Sequence, residues 1–438
     1  MIYMCRNIFL LFFVFFSLAL SAQKNSRPNI IYIMADDLGY ADLSCYGRKD
    51  YQTPHLDKLC SQGVKFINAY ATAPVCTPTR VAFFTGRYPA RLTIGLHEPL
   101  ADDSLVGLSP TTPSVAMLLK KNGYETFLVG KWHLGYGPEH TPNKNGFDHF
   151  FGFKAGAIDY ISHTSFHGEP DLYENDIPVV KSGYLTGILG EKAIEIIKQQ
   201  HQKPFFLALM FSAPHWPWQG PEDKPVSSGN AAEWTKGGSP QVYAAMMKSL
   251  DDAVGNVIKT IDELKLSNNT VIIFTSDNGG EKFSDQGVYT GRKMQLWEGG
   301  IREPAFIRWT GKVKENSVTN QVSTTMDWTA TILALAGAKA EKEFPLDGID
   351  LMPVLTGKKK EMQRTLYWRI SQRRPQNAIR DRNWKWLRDE KGEEYLFDLA
   401  VDPAEKNNIK EKFPETFLKL KNKFSAWEKT VLAPLPLR

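Results

Sequence analysis

Several features that mark particular protein classes are missing from this chain of 438 residues. It has no dense basic run and no zinc-finger or RNP pattern, so its net charge of +5 does not indicate a nucleic-acid partner. It also lacks internal repeats and low-complexity segments, and its ordinary composition excludes disordered and collagen-like classes. The chain is long enough to bury a large core and to hold more than one domain. Its mild positive balance suits an anionic substrate.

The one long apolar run lies at the N-terminus. Residues 1–22 carry a single charge, Arg6, followed by an apolar core at residues 8–20 and the small residues Ser21 and Ala22. The apolar run is short for a bilayer span, so this pattern predicts a secretory signal, with an uncleaved membrane anchor as the alternative. We therefore expect an exported protein, periplasmic or secreted in a bacterium and lysosomal in a eukaryote, with no membrane attachment after removal of the signal.

Cysteine is scarce, with four residues in the whole chain. Cys5 lies within the predicted signal, which leaves Cys45, Cys60 and Cys76 in the mature protein. An odd number of cysteines in an exported protein indicates a thiol with a fate other than pairing. Cys45 and Cys60 are either a disulfide pair or two buried thiols, because the sequence does not give the distance between them.

Four continuous apolar segments are typical of strands that are buried on both faces of a parallel sheet. They cover residues 29–34, 125–129, 205–211 and 270–275. Helical patterns lie between them, at residues 112–122, 185–200 and 240–264. This alternation predicts an α/β fold with a large, mostly parallel sheet sandwiched by helices.

The sequence changes character after about Asp350. Short alternating runs come first, followed by a helical pattern; they cover residues 365–370, 384–388, 394–398 and 414–429. This order predicts a smaller C-terminal α+β subdomain that carries an antiparallel sheet. We therefore divide the mature chain into a main domain at residues 23–350 and a C-terminal subdomain at residues 351–438.

Polar residues follow each of the four predicted strands, and open α/β sheets bind ligands beyond the carboxyl ends of their strands. Asp36 and Asp37 follow the first strand, and Asp277 and Asn278 follow the last. Taken singly, the first pair fits a turn or helix cap and the second fits a hairpin turn. Together they offer only oxygen ligands, which favours a hard divalent cation over zinc.

Further groups with catalytic potential follow the other strands. Lys131 and His133 are two residues apart, so their side chains would point the same way in an extended segment. His215 lies in a Pro-Trp stretch, and Lys293 lies in a loop that ends in Gly-Gly. Taken singly, each of these residues also fits a purely structural role.

The run CTPTR at residues 76–80 reads as the start of a helix. Pro78 suits the first turn, where its missing N–H costs nothing, and a helix N-terminus favours an anionic ligand. Arg80 lies one turn further in and can face the Cys76 side chain.

In their order along the chain, these motifs resemble those of the type I, formylglycine-dependent sulfatases of the alkaline phosphatase superfamily, which include arylsulfatases and N-acetylgalactosamine-6-sulfatases. The shared motifs are Asp-Asp, Cys-x-Pro-x-Arg with a later Thr-Gly-Arg, Gly-Lys-Trp-His, Pro-His, Asp-Asn-Gly-Gly, and a lysine before Glu-Gly-Gly. They occur here at residues 36–37, 76–80 with 85–87, 130–133, 214–215, 277–280, and 293 with 298–300. Residues 398–408 resemble the C-terminal subdomain of the family, so the resemblance covers most of the chain.

The resemblance implies hydrolysis of sulfate esters, which we interpret as O-sulfated carbohydrate, by a catalytic domain at residues 23–350 with an alkaline phosphatase-like fold. A maturation enzyme would convert Cys76 to formylglycine, whose gem-diol would attack sulfur and pass through a sulfo-enzyme intermediate. One Ca²⁺ would be held by the modified Cys76 together with Asp36, Asp37, Asp277 and Asn278.

The remaining motif residues also receive roles from the resemblance. His215 and Lys293 would hold the sulfate and protonate the leaving oxygen. His133 would act as the base on the remaining hydroxyl, while Lys131 and Arg80 would stabilise the diol oxygens and the accumulating negative charge.

Two other functions stay open. A phosphomonoesterase or phosphodiesterase of the same superfamily would need a Ser or Thr nucleophile and a second metal shell, whereas none of the nine histidines here is spaced as a zinc site. An inactive, exported glycan-binding relative would have no reason to keep the complete set of motif residues.

The sequence gives the least information about the residues that contact the substrate. We predict His97, Trp218 and Arg374 as substrate-binding residues, and Asp159, His163 and Arg373 lie in further loops near the predicted mouth. Trp216 and Trp218 flank His215 and suit stacking on a sugar, although two core aromatics would give the same pattern.

Overall fold

The computed structural model describes residues 27–101 and 105–436. The predicted signal at residues 1–22 lies outside these ranges. The helices are α1 Pro54–Ser61, α2 Cys76–Thr85, α3 Val115–Lys121, α4 Leu185–Lys198, α5 Ala231–Lys236, α6 Pro240–Glu263, α7 Glu298–Ile301, α8 Thr325–Ala336, α9 Met352–Leu355 and α10 Pro414–Glu428. In the described part of the chain, no helix is long and apolar enough to cross a membrane.

The strands of the main domain are β1 Asn29–Ala35, β2 Val64–Phe66, β3 Ala69–Tyr70, β4 Glu125–Lys131, β5 His149–Phe153, β6 Tyr173–Glu174, β7 Ile177–Pro178, β8 Phe205–Met210, β9 Thr270–Ser276, β10 Ala305–Arg308, β11 Ser317–Thr319 and β12 Ser323–Thr324. Ten of them form one sheet in the order β11-β2-β10-β9-β1-β8-β4-β5-β6-β7. The four strands expected from the sequence are β9, β1, β8 and β4, which are neighbours and run parallel. The predicted α/β fold is therefore confirmed.

Strand β1 shows why these segments are apolar at every position. Ile31 and Ile33 pack into the hydrophobic cluster on one face of the sheet, while Ile30 and Tyr32 pack into the cluster on the other face. All four side chains are fully buried. A strand that is covered by helices on both faces has no polar side, so its sequence does not alternate.

The helix caps explain where several elements begin. Ser239 caps α6 by accepting a hydrogen bond from the backbone N–H of Val242, and proline follows at the first helical position. Helix α3 begins later than the sequence pattern indicates, because Ser114 rather than Thr112 is its cap.

The C-terminal subdomain contains a four-stranded antiparallel sheet with α10 packed on β14 and β15. Its strands are β13 Thr365–Ile370, β14 Gln376–Asp381, β15 Trp384–Arg388 and β16 Glu394–Asp398. This confirms the predicted antiparallel sheet, although β14 is absent from the sequence-based assignment. Gln376, Asn377 and Arg380 make β14 polar, yet all three side chains are buried.

Two cysteines lie near α1, away from the sheet edge that carries the polar motifs. Cys45 and Cys60 are free thiols; Cys60 is buried and Cys45 is half-buried. The structure therefore corresponds to the second of the two arrangements that the sequence left open.

A buried ionic cluster joins the main domain to the C-terminal subdomain. Glu298 at the start of α7 pairs with Lys385 of β15 at 2.9 Å and with Arg302 at 3.1 Å, and Lys385 also pairs with Glu405 at 2.8 Å. Burial alone would raise the pKa of Glu298, but Lys385 and Arg302 outweigh it and hold this pKa at about 2. Burial together with the nearby Glu298 raises the pKa of Glu405 to about 7, against the effect of Lys385.

We predict that Glu298→Gln lowers the free energy of unfolding at pH 7 by about 3 kcal/mol, because it leaves two buried cations short of a partner. The depressed pKa means that this contribution is present above the ordinary glutamate pKa and is lost as the pH falls towards 2. Urea unfolding of both proteins at several pH values measures the difference. Glu428→Gln, whose carboxylate lies 3.7 Å from Arg369 and is partly exposed, is the control and should change stability by less than about 0.5 kcal/mol. An unchanged stability for Glu298→Gln would contradict the prediction.

Candidate active site

The carboxyl ends of four adjacent strands gather the predicted motif residues at one edge of the sheet. Asp36 and Asp37 follow β1, and Asp277 and Asn278 follow β9. Lys131 is the last residue of β4, and the His215 segment follows β8. Each of these side chains is at most 2 % exposed, so the cluster is nearly closed to solvent.

Cys76 is the first residue of α2 and is 2 % exposed. Burial raises the pKa of its thiol, although the positive charges of Lys131 and Lys293 act in the opposite direction. The unmodified side chain is therefore a neutral thiol at neutral pH and a poor nucleophile.

Arg80 lies one turn along α2 and is fully buried. Its guanidinium donates to Asp277 Oδ2 at 3.1 Å and to the backbone carbonyl of Lys131 at 3.0 Å, and it lies 3.7 Å from Asp36 Oδ2. The Lys131 ammonium pairs with the same oxygen of Asp36. The ends of three strands, β1, β4 and β9, are thus tied to helix α2 by these contacts.

Asp37 lies at the centre of a second group of contacts, which involves Lys293 and Asn278. It accepts hydrogen bonds from Lys293 Nζ and from Asn278 Nδ2, at 2.8 and 2.7 Å. Its φ of 62° lies in the left-handed region, which aspartate adopts more readily than most residues other than glycine. Lys293 also lies 3.7 Å from Glu281, a residue that the sequence analysis did not single out.

Two buried oxygens in this cluster have no hydrogen-bond partner among the residues that the structure describes: Asp36 Oδ1 and Asn278 Oδ1. A cation would satisfy both, because buried acceptors are otherwise costly to leave unpaired. Asp36, Asp37 and His215 also place one potential ligand atom each within 4.8 Å of one another. This buried acidic cluster can therefore bind a metal ion.

The pKa values of the three carboxyl groups differ, because the nearby lysines and arginine offset the effect of burial to different extents. Burial alone would raise the pKa of Asp36, but Lys131 and Arg80 together lower it. Burial raises the pKa of Asp37 to about 8 despite Lys293, and burial and Asp36 raise that of Asp277 to about 6. Lysine and arginine thus compensate only one of the three carboxylates fully, and a divalent cation would compensate the rest.

His133 has one nitrogen engaged and one nitrogen free. Its Nε2–H donates to the carbonyl of Leu100 at 3.2 Å, since a carbonyl can only accept, while Nδ1 is buried with no partner in the described chain. Burial and the charges of Lys131 and Arg80 hold its pKa well below the usual range. The imidazole is therefore neutral, and its unprotonated Nδ1 is free.

His215 has the opposite tautomer. Its Nδ1–H donates to the carbonyl of Trp216 at 2.5 Å, and Nε2 lies 3.5 Å from Asp37 Oδ2. Burial, with Lys293 and Lys131, holds its pKa well below the usual range, whereas that of Lys293 is raised because Asp37 and Glu281 outweigh its burial. Of these two groups, Lys293 is accordingly the one that carries a proton in the free site.

The predicted substrate-binding residues do not share one environment. Trp218 is 5 % exposed and packs edge-on against Phe283 in the hydrophobic core, so the aromatic ring next to His215 that remains half-exposed is Trp216. His97 is 7 % exposed, and Arg374 is exposed, with Nε 3.5 Å from Glu390.

Two loop residues near the predicted mouth have structural partners. Asp159 is fully buried, and its carboxylate accepts four hydrogen bonds, including one from Gln219 Nε2 at 2.9 Å. His163 is 4 % exposed, and its Nε2–H donates to the carbonyl of Gly183. Arg373 is exposed in the loop between β13 and β14.

Hydrogen bonds from the C-terminal subdomain hold the loop that carries Lys293. The sequence did not indicate this contact. Gln376 of β14 accepts from the N–H of Leu296 at 2.9 Å and donates to the carbonyl of Met294 at 2.9 Å. The N–H of Met294 in turn donates to the carbonyl of Pro74, two residues before Cys76. Gln376 lies more than eighty residues from Lys293 in the sequence and belongs to no motif, so no local signal could identify it.

Comparisons with known proteins identify the family of the chain. Residues 28–338 match the family model described as Sulfatase, and residues 285–430 match the model described as N-sulphoglucosamine sulphohydrolase, C-terminal. An N-acetylgalactosamine-6-O-sulfatase of Bacteroides thetaiotaomicron is 32 % identical, over 91 % of this chain and 93 % of that protein. A steryl-sulfatase of Rattus norvegicus is also 32 % identical, over 77 % of this chain and 72 % of that protein.

Among solved structures, the crystal structure of Ps i-CgsB in complex with a neocarrahexaose is similar to this chain. It superposes with a TM-score of 0.82 at 29 % identity, over 92 % of this chain and 93 % of that one. The match of one family model to most of the chain, together with the relative that spans nearly all of it, confirms the resemblance drawn from the motifs. The chain belongs to the sulfatase family and is a sulfuric ester hydrolase.

Proposed function

We propose that the protein hydrolyses sulfate esters of carbohydrates, with formylglycine formed from Cys76 and one bound Ca²⁺. The observation that carries this proposal is the closed cluster around Cys76, in which three carboxylates, two lysines and an arginine meet two neutral imidazoles. A neutral, buried thiol between so many charged groups is not a reactive cysteine, but it is well placed for a modified side chain that must bind an anion.

The proposed cation would be held by Asp36, Asp37, Asp277 and Asn278, with the modified Cys76 as a further ligand. The two unpaired oxygens, Asp36 Oδ1 and Asn278 Oδ1, support this assignment. When bound, the ion would polarise the sulfate oxygens, and the formylglycine hydrate would supply the hydroxyl that attacks sulfur.

Residues of the chain would provide charge stabilisation and proton transfer. Arg80 and Lys131 lie next to the Cys76 side chain and would stabilise negative charge on its oxygens. The free Nδ1 of His133 would accept a proton there. Lys293 is protonated in the free site, and the negative charge of a bound ester would raise the pKa of the neutral His215, so that both can donate hydrogen bonds to the departing oxygen.

A carbohydrate substrate is supported by the relatives that align with most of this chain. One is named for N-acetylgalactosamine-6-O-sulfatase activity, and the similar solved structure holds a neocarrahexaose. The half-exposed ring of Trp216, next to His215, offers a face for a sugar. We further propose that the protein is exported and that a formylglycine-generating enzyme acts on it before it is active.

The direct test is a screen of defined sulfated saccharides for release of inorganic sulfate, with matched phosphate esters assayed in parallel. We expect sulfate release that is abolished by exhaustive chelation and restored by Ca²⁺. Efficient hydrolysis of the phosphate esters, with none of the sulfate esters cleaved, would contradict the proposal and favour the phosphatase alternative.

His215→Ala is expected to slow the hydrolysis of sugar sulfates far more than that of activated aryl sulfates. General-acid assistance is typically worth about 10²–10⁴-fold, and an acidic leaving phenol needs little of it. The measurement is kcat/KM for a series of esters with different leaving-group pKa values. Lys293→Ala should show the same trend, whereas an equal loss on every ester would indicate simple sulfate binding.

A further inference from the structure

A groove in the C-terminal subdomain lies away from the candidate active site. It has a volume of about 550 Å³ and lies at the end of the sheet where Thr365 of β13 pairs with Asp381 of β14. The opposite end of the same strand pair, at Gln376, is the end that holds the Lys293 loop. Five residue steps at about 3.3 Å each separate the two ends by roughly 17 Å.

Four cationic side chains line this groove, and two of them have no partner. Arg364 pairs with the buried Asp327, and Lys423 pairs with Asp381 at 2.8 Å. Arg382 and Lys419 are exposed, and within residues 27–101 and 105–436 neither side chain has an ion pair or hydrogen bond. The lining holds four cationic side chains and one carboxylate, Asp381, so the groove is positively charged and suits an anion.

The groove continues along the seam with the main domain. A second cavity, of about 640 Å³, shares Gln363, Arg364 and Arg382 with the first. It adds Arg302 and Arg380, which are buried and already hydrogen-bonded within the protein. Arg302 is paired with Glu298 and Glu361 lines the same cavity, so this second cavity lengthens the groove without adding free cations.

Two further features fit a carbohydrate chain in this place. Trp384 lies in the wall of the groove and is half-buried, so part of its ring is available to a sugar. Arg382 occupies the turn between β14 and β15 with a φ of 57°, in the left-handed region that glycine and asparagine tolerate far better.

We propose that this groove binds sulfated polysaccharide at a non-catalytic site. The inference rests on the proposed function, because a hydrolase of sulfated carbohydrate meets its substrate as a long polyanion. Sulfate groups along the chain would pair with Arg382 and Lys419, and a sugar ring would stack on Trp384. Polymer held at the groove raises the local concentration of sulfate esters at the active site.

The test compares two double variants in an inactive Cys76→Ala background, so that binding is measured without turnover. Arg382→Asn/Lys419→Ser removes the two unpaired cations, and asparagine suits the left-handed turn. Lys314→Ser/Lys339→Ser removes two exposed lysines elsewhere and changes the net charge equally. Affinity electrophoresis in gels that contain chondroitin sulfate or carrageenan gives the dissociation constants. We expect about fivefold weaker binding for the groove variant and no change for the control.

The same variants in the active protein separate this site from catalysis. The groove variant should raise KM for a sulfated polymer and leave kcat/KM for a small aryl sulfate unchanged. Equal binding by the two double variants would overturn the proposal, and so would an equal loss of affinity for inorganic polyphosphate, which would indicate unselective attraction of anions. If the polymers bind as expected but are not desulfated, the groove assignment stands and the proposed substrate fails.

Discussion

Replacement of Cys76 by alanine is expected to reduce turnover of every sulfate ester by about 10⁴-fold or more, the scale on which removal of a nucleophile acts. The side chain is buried and lies in the field of Lys131 and Lys293, where the proposed nucleophile would be formed. Intact-peptide mass spectrometry of active wild-type protein should show the aldehyde or its hydrate at position 76 in place of the thiol. Alanine at this position removes both that signal and the activity.

Cys60→Ala is the matched control for this experiment. Cys60 is also a buried cysteine, but it lies in α1 and packs into the hydrophobic core. Its replacement should leave turnover within a small factor of the wild type. Full activity of a preparation that contains only unmodified cysteine at position 76 would refute the proposed chemistry.

Asp277→Asn is expected to remove the bound metal ion and nearly all turnover. Its carboxylate accepts hydrogen bonds from the N–H of Asp37 and from Arg80, both at 3.1 Å, so it links the contacts around Arg80 to those around Asp37. Loss of a direct ligand should cost more than the 10- to 100-fold typical of outer-shell partners. Metal content by atomic emission and turnover are measured on the same samples.

The control carboxylate is Asp251, which accepts hydrogen bonds from the first turn of α1. Asp251→Asn should retain one equivalent of metal and its activity, although it loses some stability. One equivalent of Ca²⁺ in purified Asp277→Asn, or zinc in place of Ca²⁺ in the wild type, would show that the assigned ligand set is wrong.

The sequence was sufficient for the fold because the signals that specify it are local. Each of the strands β1, β4, β8 and β9 is a continuous apolar run, and each is followed at once by the polar residues of the site. The carboxyl ends of neighbouring parallel strands must meet, so the convergence of Asp36, Lys131, His215 and Asp277 follows from the pattern. The metal, the modification, the role of each residue and the domain bounds stay predictions.

The parts that the sequence did not reveal depend on long-range contacts. Trp216 and Trp218 are two residues apart, and the sequence does not show which of the two is buried. In the structure, Trp218 is the one that belongs to the core. The carbonyl of Leu100, which sets the tautomer of His133, and the amide of Gln376 come from elements without any motif. Strand β14 was missed because its buried side chains are polar and are satisfied by partners far along the chain.

The burial of Cys76 bears on when the proposed modification would take place relative to folding. In the folded protein this residue belongs to a hydrophobic cluster with Leu296 and with Trp368 and Ile370 of β13, more than two hundred residues downstream. An enzyme that oxidises the thiol must therefore reach it before those later segments have docked. The proposed maturation would therefore compete with folding, and mutations that speed docking of the C-terminal subdomain would be expected to yield folded protein with unmodified Cys76.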